Sequence, residues 1–337
     1  MTRCGRPGSR AAGADRIHPT HRSPCYVRLA CGAGDSAGAA AGRARRRPAR
    51  SVASGDPLAQ SLILPDGRLR LRDGPSDLVI GIDAAAPART EAFARAEAAF
   101  AGLIAALAAE LPALRAPVGI ADLRHPVARR MAEAVRPHAG VFITPMAAVA
   151  GAIAEHVLAA VAEDPAIRRA HVNNGGDIAL HLAEGESLRI GLVRSLARAA
   201  PEGRATIASG MPVRGIATSG WPGRSFSRGI ADAVTVLAAR AADADAAATV
   251  IANAVDVDHP AIRRAPAASL DPDSDLGDIL VTTAVGTLPV SLVAEALKAG
   301  AAVAARLRRE GLIVAAMLAI GDEVRLVGSG EGRWISV

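Results

Sequence analysis

Lysine, aromatic side chains and long apolar runs are scarce in this 337-residue chain. A single lysine, Lys298, stands beside 38 arginines, and Phe, Trp and Tyr together make up 2%. With half of the chain hydrophobic and so few rings, the core has to be built from Ala, Val, Leu and Ile. These small side chains let helix and sheet approach closely. The arginine skew, with abundant Ala, reads as the coding bias of a GC-rich genome. No run of about 18 apolar residues occurs, so no membrane span is expected. The N-terminus lacks the apolar region, roughly 7–15 residues long, of a secretory signal. Leu29-Ala30-Cys31 follows Arg28 with no hydrophobic lead-in, so it does not read as a lipoprotein cleavage site.

Cysteine is missing from residues 56–337: Cys4, Cys25 and Cys31 all lie near the start. A disulfide framework or a cysteine metal site is thereby excluded for the remainder. The expected setting is a reducing one, the cytoplasm. Charge is divided the same way. Residues 1–50 hold 11 Arg against Asp15 and Asp35, a balance of +9 in a chain whose total is +6, so the rest sums to −3. A nucleic-acid partner is not expected for a mildly acidic body without a basic face. Residues 1–55 are Gly, Ala, Arg, Ser and Pro without periodicity, and are expected to form a disordered tail. The competing reading is a basic arm for an acidic partner. Residues 56–337 are expected to form one domain.

Leu62-Ile63-Leu64 and Leu69-Arg70-Leu71 flank an Asp66-Gly67 turn, a hairpin signal. Asp77 to Asp83 reads as a further strand. One long helix is predicted over Ala88 to Leu111, with Phe93, Ala96, Phe100, Leu103 and Leu107 on one stripe. A shorter helix runs from Pro126 to Pro137, and Thr144-Pro145 predicts a capped start for the next. Strands follow at 170–173, 178–182, 188–193, 213–219 and 233–238, then helices at 243–255 and 290–309. A hairpin over 312–327 closes the chain. Runs of strands with helices between them predict an α+β fold with a mixed sheet, not a doubly wound parallel one.

Three segments carry candidate chemistry. Asp245, Thr249 and Asn253 are spaced i, i+4, i+8, one face of an otherwise apolar helix. A carboxylate with a hydroxyl one turn on suits a hard cation such as Mg²⁺; the competing reading is that Asp243 caps the helix and Asp245 favours its dipole. Asn173-Asn174-Gly175-Gly176-Asp177 lies between two strands. Its paired glycines either let a ligand phosphate approach main-chain N–H groups or form an ordinary β-turn. Thr218-Ser219-Gly220 ends a strand, and Arg224-Ser225-Phe226-Ser227-Arg228 offers hydroxyls and guanidiniums, as a phosphate contact or as a solvated loop. Of the histidines, His125 and His138 read as surface or packing residues, and His171 is a better site candidate than His181.

Taken in order, Gly151-Ala152-Ile153-Ala154, the Gly175-Gly176-Asp177 turn, Ala217-Thr218-Ser219-Gly220 and Ala244-Asp245-Ala246-Ala247-Ala248-Thr249 resemble the ApbE family of flavin transferases. The resemblance covers roughly residues 142–255. It implies an ApbE-like, T-fold-like domain that binds Mg²⁺ and transfers FMN from FAD to a Thr or Ser of an acceptor protein. The implied metal ligands are Asp245, Thr249 and the carbonyl of Ala152. The implied ligand contacts are Asn174, Gly175, Gly176, Asp177, Thr218, Ser219, Ser225 and Arg228. The chain departs from the family at two places. Glu155 stands where the family has lysine, and the family's His-x-x-Asp-Pro-x-Thr-Gly segment is absent. A non-catalytic flavin- or nucleotide-binding partner of a redox or cofactor pathway is therefore the second expectation.

Overall fold

A computed structural model describes residues 16–17, 29–30, 60–117, 119, 122–193, 203–328 and 335–336. Its strands are β1 (Arg16–Ile17), β2 (Leu29–Ala30), β3 (Gln60–Ile63), β4 (Leu69–Asp73), β5 (Ser76–Asp83), β6 (Arg169–Asn174), β7 (Asp177–Leu182) and β8 (Ser187–Leu192). They continue as β9 (Gly203–Ala208), β10 (Gly215–Ser219), β11 (Ala233–Ala238), β12 (Ile262–Pro266), β13 (Leu280–Val285), β14 (Ala315–Ile320), β15 (Glu323–Val327) and β16 (Ile335–Ser336). The helices are α1 (Ala86–Phe100), α2 (Leu103–Ala108), α3 (Leu111–Leu114), α4 (Pro126–Val135), α5 (Val149–Val161), α6 (Ala241–Ala254), α7 (Ala267–Leu270) and α8 (Val290–Arg309).

Nine strands form one sheet in the order β15-β14-β11-β10-β7-β6-β5-β4-β3. Every neighbouring pair in it is antiparallel, so the mixed sheet expected from the sequence is corrected to an antiparallel one. Period-two alternation divides its faces. Ala170 and Val172 of β6 and Ala179 of β7 face a core shared with α1, α4, α5 and α6. Ile178, Leu180 and Leu182 turn the other way, onto Leu188, Ile190 and Ile207 of β8 and β9. Helices on one face and a second antiparallel sheet against the other make an α+β architecture.

The Ala-rich composition has its use where α5 crosses α6. A Cβ added to Gly151 would lie 2.4 Å from the carbonyl oxygen of Ala241, so only glycine permits this crossing. Ala241, Ala242, Ala244, Ala246, Ala247 and Ala248 are all buried along α6. Larger side chains would force these elements apart.

Several sequence expectations are corrected. The single helix over 88–111 is three helices: Gly102 takes φ +72°, a left-handed conformation that ends one helix and starts another. Thr144 makes no capping bond, because its hydroxyl donates to Asp275 instead. Pro145–Ala148 is a 3₁₀ turn, and α5 begins at Val149. Helix α6 begins at Ala241, so Asp243 lies inside its first turn and is not its cap. Strands β9, β12 and β13 were not foreseen. Most of the expected tail, residues 1–55, lies outside the described residues; β1 pairs with β13 and β2 with β8. Among the described residues no helix is long and apolar enough to cross a membrane.

Candidate functional site

Between the helix layer and one end of the sheet lies a cavity of about 510 Å³. The turn from β6 to β7 delivers Asn174, Gly175 and Asp177 to it, and the end of β10 delivers Thr218 and Ser219. Helix α6 supplies Asp245 and Thr249, and the loop after β10 supplies Arg224 and Ser225. A smaller cavity, about 230 Å³ beside Leu288 and Gly321, gathers no comparable set of polar side chains.

The turn is shaped by its own side chains. Gly175 and Gly176 take φ +68° and +120°, and the Gly176 N–H donates to Asn173 Oδ1 at 2.8 Å. That N–H is therefore occupied, and Gly176 is not among the cavity-lining residues. Asn174 Nδ2 donates to the Ala150 carbonyl at 3.2 Å, which ties the turn to the start of α5.

Asp245 reaches across to the same helix end. Its Oδ2 accepts the Gly151 N–H at 2.9 Å, one of the first-turn donors that α5 cannot satisfy within itself. Asp177 Oδ1 accepts the Thr218 N–H at 3.3 Å. Two carboxylates thus share one cavity. Burial raises the proton affinity of Asp245 well above that of an ordinary aspartate, and the negative charge of Asp177 adds to the rise. The N–H groups of Gly151 and Ala150 oppose it. Burial also lifts Asp177, to about 7, against the Thr218 N–H and the Arg224 guanidinium. Paired carboxylates in a poorly hydrated place hold either a proton or a cation.

Ala150, not Ala152, lines the cavity; the Ala152 side chain is buried in the core. Arg228 is exposed and its side chain is not part of the wall, whereas Arg224 is and donates to the Pro75 carbonyl. Asn253, third on the polar stripe, lies beyond the cavity. Its Oδ1 accepts the Arg228 N–H at 2.9 Å and Ser227 Oγ at 3.3 Å, holding the segment that replaces the family's histidine motif.

The charge reversal at Glu155 has a structural account. Glu155 Oε1 accepts the Ala242 N–H at 2.8 Å, capping α6, and Oε2 pairs with Arg130 Nε at 2.8 Å. Arg130 also bonds Asp243 Oδ1 at 2.6 Å.

None of the four singled-out histidines lines the cavity. His125 Nδ1 accepts the Val127 N–H at the start of α4, and His181 Nε2 pairs with the Ile167 carbonyl. His138 is buried beside α4. His171 pairs in register with Leu180, on the sheet face away from Asp177. Burial holds His171 down to about 3 and hence neutral, helped by Arg68 and Arg169.

The sequence reading also missed a wall. Ile104 and Leu107 of α2, Leu111 and Leu114 of α3 and Arg115 just after it line the cavity, and Met146, Val149 and Ile153 add further apolar surface. Their only signal was the amphipathic stripe that marks any packed helix.

The sequence model of a family described as AbpE bacteria matches residues 61–326. The chain belongs to that family. It is also 37% identical over 157 residues to UPF0280 protein MK0206 of Methanopyrus kandleri. That match spans 45% of this chain and 59% of the relative's length.

Proposed function

We propose that this chain is a magnesium-dependent, FMN-transferase-like enzyme acting on FAD or a related phosphate-bearing cofactor. The observation that carries the reading is the meeting of Asp177, Asp245 and Thr249 in one cavity, three residues far apart in sequence or a full helical turn apart. No group of three or more His, Cys, Asp or Glu side chains suited to a metal occurs among the described residues. Mg²⁺ does not need one: it is held by one or two carboxylates together with hydroxyl, carbonyl, water and substrate phosphate oxygens. Asp245, Asp177 and Thr249 offer carboxylate and hydroxyl oxygens of that kind in one cavity, so the residues fit the ion. The cation would supply charge neutralisation for a pyrophosphate. The chain's own part is to hold the two carboxylates ready, to place Arg224 beside the turn, and to keep water from the apolar wall. Membership of the AbpE bacterial family and the order of the four motifs support the same reading.

One observation favours a second reading, a non-catalytic flavin- or nucleotide-binding partner. The cavity wall holds no histidine, cysteine or lysine among the described residues, which leaves Asp177 and Asp245 as its only groups able to take up a proton. Incubating the protein with FAD, Mg²⁺ and a threonine-containing acceptor peptide, then reading covalent flavin fluorescence in a gel, separates the two. Transfer that EDTA abolishes is the expected result for the enzyme. Mg²⁺-dependent FAD binding without transfer would establish the binder, and no flavin binding would remove both.

A further inference from the structure

The cavity carries two kinds of surface. The carboxylates, hydroxyls and paired glycines come from α6, the β6–β7 turn and β10, while α2 and α3 contribute Ile104, Leu107, Leu111 and Leu114. Arg115 follows directly after this apolar wall and also lines the cavity. It is half-buried, and among the described residues its side chain has no hydrogen-bond or ion-pair partner. A guanidinium offers five N–H donors and no acceptor. None of its nitrogens is among the buried side-chain atoms that lack a partner, so the guanidinium stays hydrated at the cavity and can exchange that water for acceptor atoms that arrive with the ligand.

We propose that Arg115 is a recognition fork for the far edge of a planar heterocycle that presents two adjacent acceptor atoms. The inference rests on the flavin reading and deepens it. In an isoalloxazine the N1 and C2 carbonyl oxygen form such an edge, and a guanidinium pairs with adjacent acceptors as it does with guanine O6 and N7. The amino edge of adenine presents a donor beside an acceptor and suits Arg115 poorly. The ligand therefore lies with its phosphates toward Asp245 and Thr249, and its flavin ring, not its adenine, against Ile104, Leu107 and Leu111. A cavity of about 510 Å³ falls in the range that encloses ligands of this size. A fixed positive charge beside N1 also favours the anionic reduced ring over the oxidised one.

The test uses the full chain in Mg²⁺, with FMN and AMP as separate probes and Arg115→Ala and Arg115→Lys as variants. Arg115→Ala should weaken FMN binding about tenfold or more, with Arg115→Lys between it and wild type. AMP affinity should not change. The midpoint potential of saturating bound FMN should fall in Arg115→Ala, a shift that a packing role would not cause. Unchanged FMN affinity and potential in Arg115→Ala, with wild type binding FMN, would overturn the Arg115 assignment alone. Loss of AMP affinity instead would overturn it by placing adenine on this wall. Failure of wild type to bind FMN would remove the flavin reading and this inference with it.

Discussion

Asp245 and Glu155 cap each other's helices. Asp245, on α6, accepts the N–H of Gly151 in the first turn of α5, while Glu155, on α5, accepts the N–H of Ala242 in the first turn of α6. Neither helix has a side-chain cap of its own at the residue preceding it. The exchange fixes the crossing at which Gly151 touches the Ala241 carbonyl, and it holds the candidate metal carboxylate in place.

Glu155→Ala should destabilise the fold by about 1–2 kcal/mol, the usual cost of a lost cap. Arg130 keeps Asp243 as a partner, which limits further loss. Glu155→Gln keeps an acceptor for Ala242 and should recover most of the difference. Urea unfolding of the three proteins measures it, and equal midpoints for wild type and Ala would mean the cap contributes nothing.

The carboxylate pair gives a pH dependence of defined sign. Asp177 titrates near 7 in the folded chain and near 3.9 when unfolded. Between those values the folded state holds the proton and the unfolded state does not. The contribution of Asp177 to stability is therefore full below about pH 4 and is lost as pH rises toward 7; Asp245 is shifted in the same direction. In EDTA, the melting temperature of wild type relative to Asp177→Asn should fall as pH rises from about 5 to 7.5. A parallel profile for the two proteins would contradict the shift.

Mg²⁺ should stabilise wild type by mass action, about 2.7 kcal/mol at a hundredfold excess over its dissociation constant. Asp245→Asn retains an oxygen able to accept the Gly151 N–H but removes the charge, so it should fold and lose the Mg²⁺ response. Thermal melts with and without the ion decide this. An undiminished response in the variant would leave Asp245 with its capping role only.

The two arginines of the segment 224–228 should behave differently. Arg224 lines the cavity and Arg228 is exposed outside it. Isothermal titration with FAD in Mg²⁺ should show weaker binding for Arg224→Ala and little change for Arg228→Ala. The reverse order would place the ligand over the outer loop.

What the sequence determined by itself was local. Alternation placed the central strands of the sheet, and the four-residue spacing of Asp245 and Thr249 put both on one helix face because an α-helix turns once in 3.6 residues. The paired glycines announced a turn with positive φ. The same helical rule could not say where the stripe ends in space. Asn253 lies about 12 Å along the axis from Asp245, far enough to serve a different loop. Tertiary structure alone decided that Ala150 and not Ala152 meets the cavity, that Arg224 and not Arg228 enters it, and that Arg115, just after α3 and part of no motif, lines it. It also turned Glu155, a reversed charge in a familiar motif, into the cap of α6. These outcomes depend on how closely helices cross and which side chains face inward once they do. That closeness is set by residues such as Gly151 and Ala241, whose importance lies in the contact between elements and not in either element's own sequence pattern.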